Sequence, residues 1–183
     1  MGLFDEINAV IPITQMKIEI ISVMNTIASV IPRPKVMLEI GSYHGGSLAL
    51  LGNLLAEDGL LISVEPELQV PLMVDEVRDF IAPRELVHIK EYSWDAVREV
   101  HEILDGRLIN VLMIDGDHTP EGTAYDWELY RPLVSSPGVI LLHDICDQHE
   151  LGPTQVFYAQ IANHETGIMS MSLHRQGIGI IYV

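Results

Sequence analysis

Apolar residues recur at steps of three and four through Ile13, Met16, Ile20, Val23, Ile27 and Val30. That spacing predicts a helix with one buried face, starting just after Pro12 and stopped by Pro32. The rhythm then changes. Residues 36–40, 60–65, 86–91, 109–115 and 139–144 form short, nearly unbroken apolar runs, the pattern of strands covered on both faces. Helical stretches at residues 47–57, 72–81, 93–104, 121–134 and 153–164 separate them, and the turns EDG, LDG and SSPG punctuate the returns. The alternation predicts an α/β fold: a Rossmann-like, doubly wound sheet with helices on both faces. Only the C-terminal end departs. There GIMSMSLHRQGIGIIYV supplies two apolar runs joined at Gln176-Gly177. That is a hairpin signal rather than a helical crossover, so a seven-stranded sheet with an antiparallel member is expected.

With 183 residues and no linker or repeat, the chain is expected to be one domain. Residues 1–35 form its helical N-terminal extension and residues 36–183 its core. Hydrophobic residues make up 48% of the chain, yet no unbroken run approaches the roughly 18 residues of a membrane helix. No membrane partner is expected. The first residues lack the basic start and apolar core of a signal peptide, and Glu6 stands where a myristoylation signal has Ser or Thr. A cytoplasmic location is the expectation. A single cysteine, Cys146, excludes an internal disulfide and a multi-cysteine zinc site. The formal charge of −16, with only 10 Lys plus Arg, argues against a nucleic-acid partner, because phosphate contacts need a basic surface.

Candidate chemistry collects at the carboxyl ends of the strands, where open α/β sheets bind ligands. Glu39 and Gly41 close the first, Glu65 the second, Glu91 and Ser93 the third, Asp115, Asp117 and His118 the fourth, and His143 and Asp144 the fifth. Five polar ends together predict a ligand cleft. In LEIGSYHGGS, residues 38–47, Gly41 suits a tight turn, and Gly45 and Gly46 let a ligand approach the backbone. Ser47 stands at the expected N-cap of the next helix. A dinucleotide fingerprint, G-x-G-x-x-G, would need glycine where Tyr43 stands, so a pyrophosphate fits poorly. Glu39 points instead to a cationic ligand group. Glu65, 24 residues beyond Gly41, is placed to accept both hydroxyls of a ribose.

Together, LEIGSYHGGS, SVEPE, LMIDGDHTPEGTAYDWELYRPLVSSPGVILLHD and the closing hairpin resemble a class I S-adenosylmethionine-dependent methyltransferase. The last block is similar to the small enzymes of the methyltransferase domain 24 type, relatives of the macrolide and catechol O-methyltransferases. The resemblance spans about residues 36–183. It implies a strand order of 3-2-1-4-5-7-6 with strand 7 antiparallel, and S-adenosylmethionine as cofactor. Glu39 and the loop carrying Gly41, Ser42, Tyr43, Gly45 and Ser47 would hold the amino-acid end of that cofactor. Glu65 would hold the ribose, Ser93 and Trp94 would border the adenine, and Asp115 would face the methyl-transfer centre. Trp94 has a second reading, as the first core residue of its helix.

Methyl transfer from a sulfonium is an in-line displacement that needs a positioned nucleophile and a destination for one proton. Asp115 and His118 lie three residues apart beyond one strand, and Asp144 ends the next. An EF-hand does not fit, because Pro120 takes the position that demands glycine and Asp126 that of the final Glu. Helical metalloprotease spacing is absent. A hard cation such as Mg2+, held by Asp115 and Asp144 with waters and substrate oxygens, suits these residues better. In metal-dependent relatives an acidic or amide pair ends the fifth strand; here that place reads His143-Asp144, so one member is matched. The resemblance makes His118 the general base, since a basic side chain follows the fourth-strand Asp by three residues in catechol-type relatives. Imidazole titrates in the range this role needs. The competing reading is a histidine that only braces the turn. His143 is another candidate base or ligand. His88, His101, His164 and His174 are expected on ordinary surfaces or strand edges, Asp117 as a turn-former, and Asp126 with Trp127 in helix packing.

These readings converge on an S-adenosylmethionine-dependent O-methyltransferase acting on a hydroxylated small molecule or sugar, with His118 and Asp115 catalytic and Mg2+ as an optional second cofactor. Rival readings stay open: a cofactor-binding module without catalysis, or hydroxylation or aminopropyl transfer on the same scaffold. A nicotinamide dehydrogenase is least favoured by Tyr43 and the hairpin. Substrate walls are expected from residues 1–35 and 145–153. The apolar face of the N-terminal helix can cover its own sheet or pair two copies as a homodimer.

Overall fold

The five apolar runs become five parallel strands in the computed structural model, which describes residues 2–146, 151–169 and 176–183. They are β1 (Val36–Ile40), β2 (Leu60–Val64), β3 (Glu85–Ile89), β4 (Ile109–Ile114) and β5 (Val134–Leu142). A hairpin of β6 (Glu165–Met169) and β7 (Ile178–Tyr182) completes one sheet, ordered β3-β2-β1-β4-β5-β7-β6. β7 runs antiparallel to both β5 and β6. The strand order and the direction of the last strand are those the resemblance implies.

Seven helices accompany the described strands: α1 (Leu3–Asn8), α2 (Lys17–Val30), α3 (Gly46–Gly52), α4 (Val74–Ile81), α5 (Ser93–Leu104), α6 (Pro120–Tyr130) and α7 (Leu151–Gln160). Successive strand residues point to opposite faces, so each unbroken apolar run feeds two cores. Met37, Leu61, Val111 and Leu141 pack with Ile20, Val23 and Ile27 of α2 and with α3 and α4. Leu38, Ile62, Leu112 and Ile140 pack on the other side with Ala96 and Val100 of α5, Trp127 of α6 and Phe157 of α7. Burying each such side chain contributes about 1.5–3 kcal/mol. The inner face of α2 therefore covers its own sheet. Among the described residues no helix is long and apolar enough to cross a membrane.

Three departures from the sequence pattern appear, and the first shapes the site. The N-terminal helix starts at Lys17 and not after Pro12. Residues 11–16 instead run as an irregular strap, with Ile11 fully buried and Gln15 bonded to Asp115. The short α1 before the strap was not expected. Further on, Pro132 cannot continue α6, whose end tightens into a single 3-10 turn, Arg131–Leu133. SSPG then belongs to β5, which begins at Val134, and a register shift between Ile109 and Val111 absorbs the irregularity against β4.

Candidate active site

Residues just beyond β1, β2, β3, β4 and β5 line one cavity of about 530 Å³. In sheet order the turn after β1 stands in the middle: Glu65 and the aromatic pair Tyr92 and Trp94, beyond β2 and β3, lie to one end of it, and Asp115, His118, His143 and Asp144, beyond β4 and β5, to the other.

The turn after β1 is forced by close backbone approach. Gly41 has φ +82°, and a Cβ there would sit 2.1 Å from the carbonyl oxygen of Asp115. Tyr43 occupies the second fingerprint position with φ 49°, a left-handed conformation unusual for a bulky residue. Its N–H donates to Glu65 Oε2 at 2.9 Å, and Glu67 N–H donates to Glu65 Oε1 at 2.8 Å. The carboxylate expected to meet a ribose is thus aimed by two main-chain donors. Gly45, left-handed at φ 95°, is the N-cap of α3, and Ser47 lies inside the helix instead of capping it. The Ser47 hydroxyl donates to Glu39 Oε1 at 2.5 Å. Glu39 is buried behind this loop and is not among the residues lining the cavity. Burial pushes its carboxyl up to about 8, and its Oε2 has no hydrogen-bond partner.

Trp94 is 46% exposed, lines the cavity and stacks on Tyr92, with ring centroids 4.6 Å apart and planes 9° from parallel. Its alternative reading as a helix core residue is overturned. Ser93 also lines the cavity, but its hydroxyl turns inward and donates to Asp126, while Tyr130 Oη donates to the Ser93 carbonyl at 2.6 Å. Asp126 is buried, and desolvation pushes its carboxyl up to about 6.

At the other end two carboxylates and two imidazoles alternate around a closed ring. Asp115 Oδ1 lies 2.9 Å from His143 Nδ1 and 3.2 Å from His118 Nε2. Asp144 Oδ2 lies 3.3 Å from His143 Nδ1 and 3.5 Å from His118 Nδ1. The second Asp115 oxygen accepts from Gln15 Nε2 at 2.9 Å. Burial alone would raise Asp115, but the two imidazoles, His143 foremost, hold it below the usual carboxylate range. Burial would lower both histidines, yet Asp115 and Asp144 hold each above the ordinary imidazole value. Asp144, at φ 57°, keeps Oδ1 buried without a partner. Asp115, His118 and Asp144 each offer a ligand atom, all within 4.8 Å of one another, so this donor set fits a divalent cation.

Residues 38–145, more than half of the chain, match the methyltransferase domain family. The chain belongs to that family. An uncharacterized protein of Acanthamoeba polyphaga mimivirus is 35% identical over 118 residues, 60% of this chain and 51% of the other. The chain thus spans about half the length of that curated relative. Its fold matches the Bacillus cereus O-methyltransferase solved in complex with SAH, at 16% identity, covering 99% of this chain and 90% of that one with a TM-score of 0.69. It also matches the Streptomyces achromogenes O-methyltransferase TomG of tomaymycin synthesis, solved with SAM, at 15% identity, 100% and 90% coverage and a TM-score of 0.67.

Several residues of this methyltransferase domain stand where spacing alone put them. Asp117 forms the turn, accepting from Thr119 N–H at 2.9 Å, and Thr119 caps α6 by accepting from Gly122 N–H. His101 is exposed, and His164 packs edge-on against Trp127. His174 lies outside the described residues, as do residues 147–150 of the expected substrate wall. His88 is different: it sits on edge strand β3, but its side chain is turned into a buried polar network. Gln15, Gln176 and Tyr92 line the cavity without having been singled out. Gln176 Nε2 donates to the Thr14 carbonyl at 3.2 Å and so ties the strap to the hairpin. The one available signal was a polar Gln15 directly before an apolar helix, which local pattern reads as a helix surface.

Proposed function

We propose that this methyltransferase takes its methyl group from S-adenosylmethionine and delivers it to a hydroxyl of a small molecule. The observation that carries the reading is the joint placement, in one cavity, of Glu65 with the Tyr92–Trp94 stack at one end and the His118–Asp115 pair at the other. The first group suits a ribose and an adenine; the second suits a hydroxyl that must lose a proton. Cofactor contacts then fall to Gly41, Ser42, Tyr43, Ser47, Glu65, Ser93 and Trp94, all of which line the cavity. Glu39 and Gly45, both expected as contacts, do not line the cavity: Glu39 braces the loop through Ser47, and Gly45 faces Val77 and Leu72.

In the transfer a C–O bond forms as the S–CH3 bond breaks, the sulfonium leaves as a neutral thioether, and the hydroxyl proton goes to His118. Both ring nitrogens face carboxylates in this state, so one contact must be exchanged for the acceptor. The longer, Nδ1 to Asp144 at 3.5 Å, is the one to give way. Nε2–H then stays on Asp115, which orients the ring and stabilises the imidazolium that forms. A divalent ion such as Mg2+ would be held by Asp115 and Asp144, leaving His118 as the base, and it would acidify a hydroxyl bound to it. A homodimer would use the outer side of the N-terminal segment, where Val10, Met16 and Ile18 are exposed.

The test is to incubate the full chain with methyl-labelled S-adenosylmethionine and a panel of catechols, phenols and free or nucleotide-linked sugars, with and without Mg2+. Label in a methyl ether with matching S-adenosylhomocysteine is the expected result. Cofactor binding by calorimetry with no hydroxyl methylated across the panel would favour the module without catalysis.

A further inference from the structure

Behind the Glu65 end of the cavity, a chain of side chains crosses three structural elements. Ser42, in the turn after β1, shares a hydrogen bond of 2.9 Å with Ser63 of β2. His88 Nδ1 of β3 lies 3.2 Å from the Ser63 hydroxyl, and His88 Nε2 lies 3.2 Å from Glu67 Oε1. Glu67 only accepts, so Nε2 carries a hydrogen, and the two hydroxyls can rotate to complete the chain at Nδ1. Glu67 Oε1 also accepts from Leu72 N–H at 3.0 Å, and Lys90 pairs with the same carboxylate. Through its own N–H Glu67 holds Glu65, whose other oxygen takes the N–H of Tyr43, next to Ser42. The circuit is therefore closed: Ser42, Ser63, His88, Glu67, Glu65, Tyr43.

Two of its members, Tyr43 at φ 49° and Glu67 at φ 55°, have left-handed backbones that cost energy unless their surroundings fix them. Ser42 and Ser63 are almost fully buried, where an unsatisfied hydroxyl would be expensive. None of this is needed to close the hydrophobic cores. What the circuit does fix is the spacing between the turn after β1 and the corner after β2, the two walls that face each other across Glu65.

We propose that His88 is a positioning residue for cofactor binding: its two ring nitrogens tie the Ser42 turn to the Glu67 corner and so hold the Glu65 carboxylate in the direction a ribose needs. This rests on the reading that Glu65 meets the ribose of S-adenosylmethionine. An isosteric break in the circuit should loosen the ligand without emptying a core.

Isothermal calorimetry of the full-length variants with S-adenosylhomocysteine, and separately with adenosine, tests it. His88→Phe should weaken both ligands by about tenfold, the loss of roughly one net hydrogen bond's worth of aim. The loss should be shared by adenosine because it acts at the ribose. His88→Gln, whose amide keeps one donor and one acceptor, should recover affinity to within about threefold of wild type. Ser63→Ala should show a smaller loss of the same kind, and it carries the test if His88→Phe does not fold. Wild-type affinity in both His88→Phe and Ser63→Ala overturns the inference, as does a Gln variant as weak as Phe. Glu65→Gln separates the two levels. If that change leaves both ligands bound as before, the assignment of the ribose site itself fails; if it weakens them while His88→Phe does not, only the role of His88 falls.

Discussion

At the Glu65 end of the cavity the carboxylate is held by main-chain N–H groups, those of Tyr43 and Glu67, while at the Asp115 end the holding contacts come from the side chains of Gln15, His118 and His143. Main-chain donors depend on the path of the backbone and survive most substitutions. Side-chain donors vanish with the residue. The contrast suits the roles proposed for the two ends. A cofactor presents the same groups in every turnover, so its contacts can be built into turns. An acceptor site must change chemistry with its substrate, and side chains are what change. The difference also predicts that damage at the two ends will read out separately.

The largest separation is expected from His118→Ala. Removing a positioned base costs about 10²–10⁴-fold in the rate of methyl transfer, whereas the Glu65 end is untouched. S-adenosylhomocysteine affinity measured by calorimetry should stay within about threefold of wild type. A comparable loss in both quantities would mean that the two ends are one unit. The same base predicts the pH profile: Asp115 and Asp144 raise His118 above the ordinary imidazole value, so transfer should still be climbing with pH beyond that value.

His143→Ala strikes the Asp115 end through stability. His143 is buried between the partly buried Asp115 and Asp144, and its removal leaves both carboxylates short of a cationic partner. Breaking a buried pair from one side costs about 3–5 kcal/mol, read as a lower midpoint in urea. Loss below about 1 kcal/mol would mean that water enters the ring freely, and that the acceptor end is softer than its contacts indicate.

How much of this contrast could be read from the sequence follows the distance in chain between partners. The strands, the closing antiparallel hairpin and the cluster of strand ends were legible because apolar runs and turn residues are local signals, whereas the strand order came from the family resemblance. Asp115 and His118 were legible as a pair because three residues separate them beyond one strand. The bond from Gln15 to Asp115 was not, since it joins residues 100 apart and depends on a strap that leaves helical geometry. Ser47 was misplaced for a smaller reason: Gly45, being free to adopt φ 95°, took the cap and moved Ser47 into the first turn, where Glu39 claims its hydroxyl. His88 looked like an edge-strand residue and is one, but only the register of β2 with β3, pairing Ser63 with His88, shows that its ring points into the polar network.

Asp126→Asn sharpens the comparison from beneath the adenine wall, because Asp126 holds the Ser93 hydroxyl. Its carboxyl is raised from 3.8 to about 6 in the folded chain, so the folded state favours the protonated form. The stability this contributes is complete below the unfolded value and is lost as pH rises through about 6. The shift corresponds to roughly 3 kcal/mol at most. Asparagine mimics the protonated acid, so the variant should match wild type below pH ~4 and become the more stable of the two above pH ~7. Equal urea midpoints at both pH values would show that Asp126 is solvated or has a partner when ionised.

The smallest effect is expected from Trp94→Ala. Trp94 stacks on Tyr92 and is nearly half exposed, so truncation removes little buried area, and the folding midpoint should move by less than about 0.5 kcal/mol. A ligand adenine seated on that indole would lose about 1–3 kcal/mol of stacking, roughly 5- to 150-fold in affinity for S-adenosylhomocysteine. The acceptor end offers a control, because Trp94 stands beyond β3 and the ring of carboxylates and imidazoles beyond β4 and β5. At saturating cofactor the transfer rate should be unchanged. If affinity holds and the rate falls, the indole faces the acceptor and not the adenine, and the boundary between the two ends lies on the other side of Trp94.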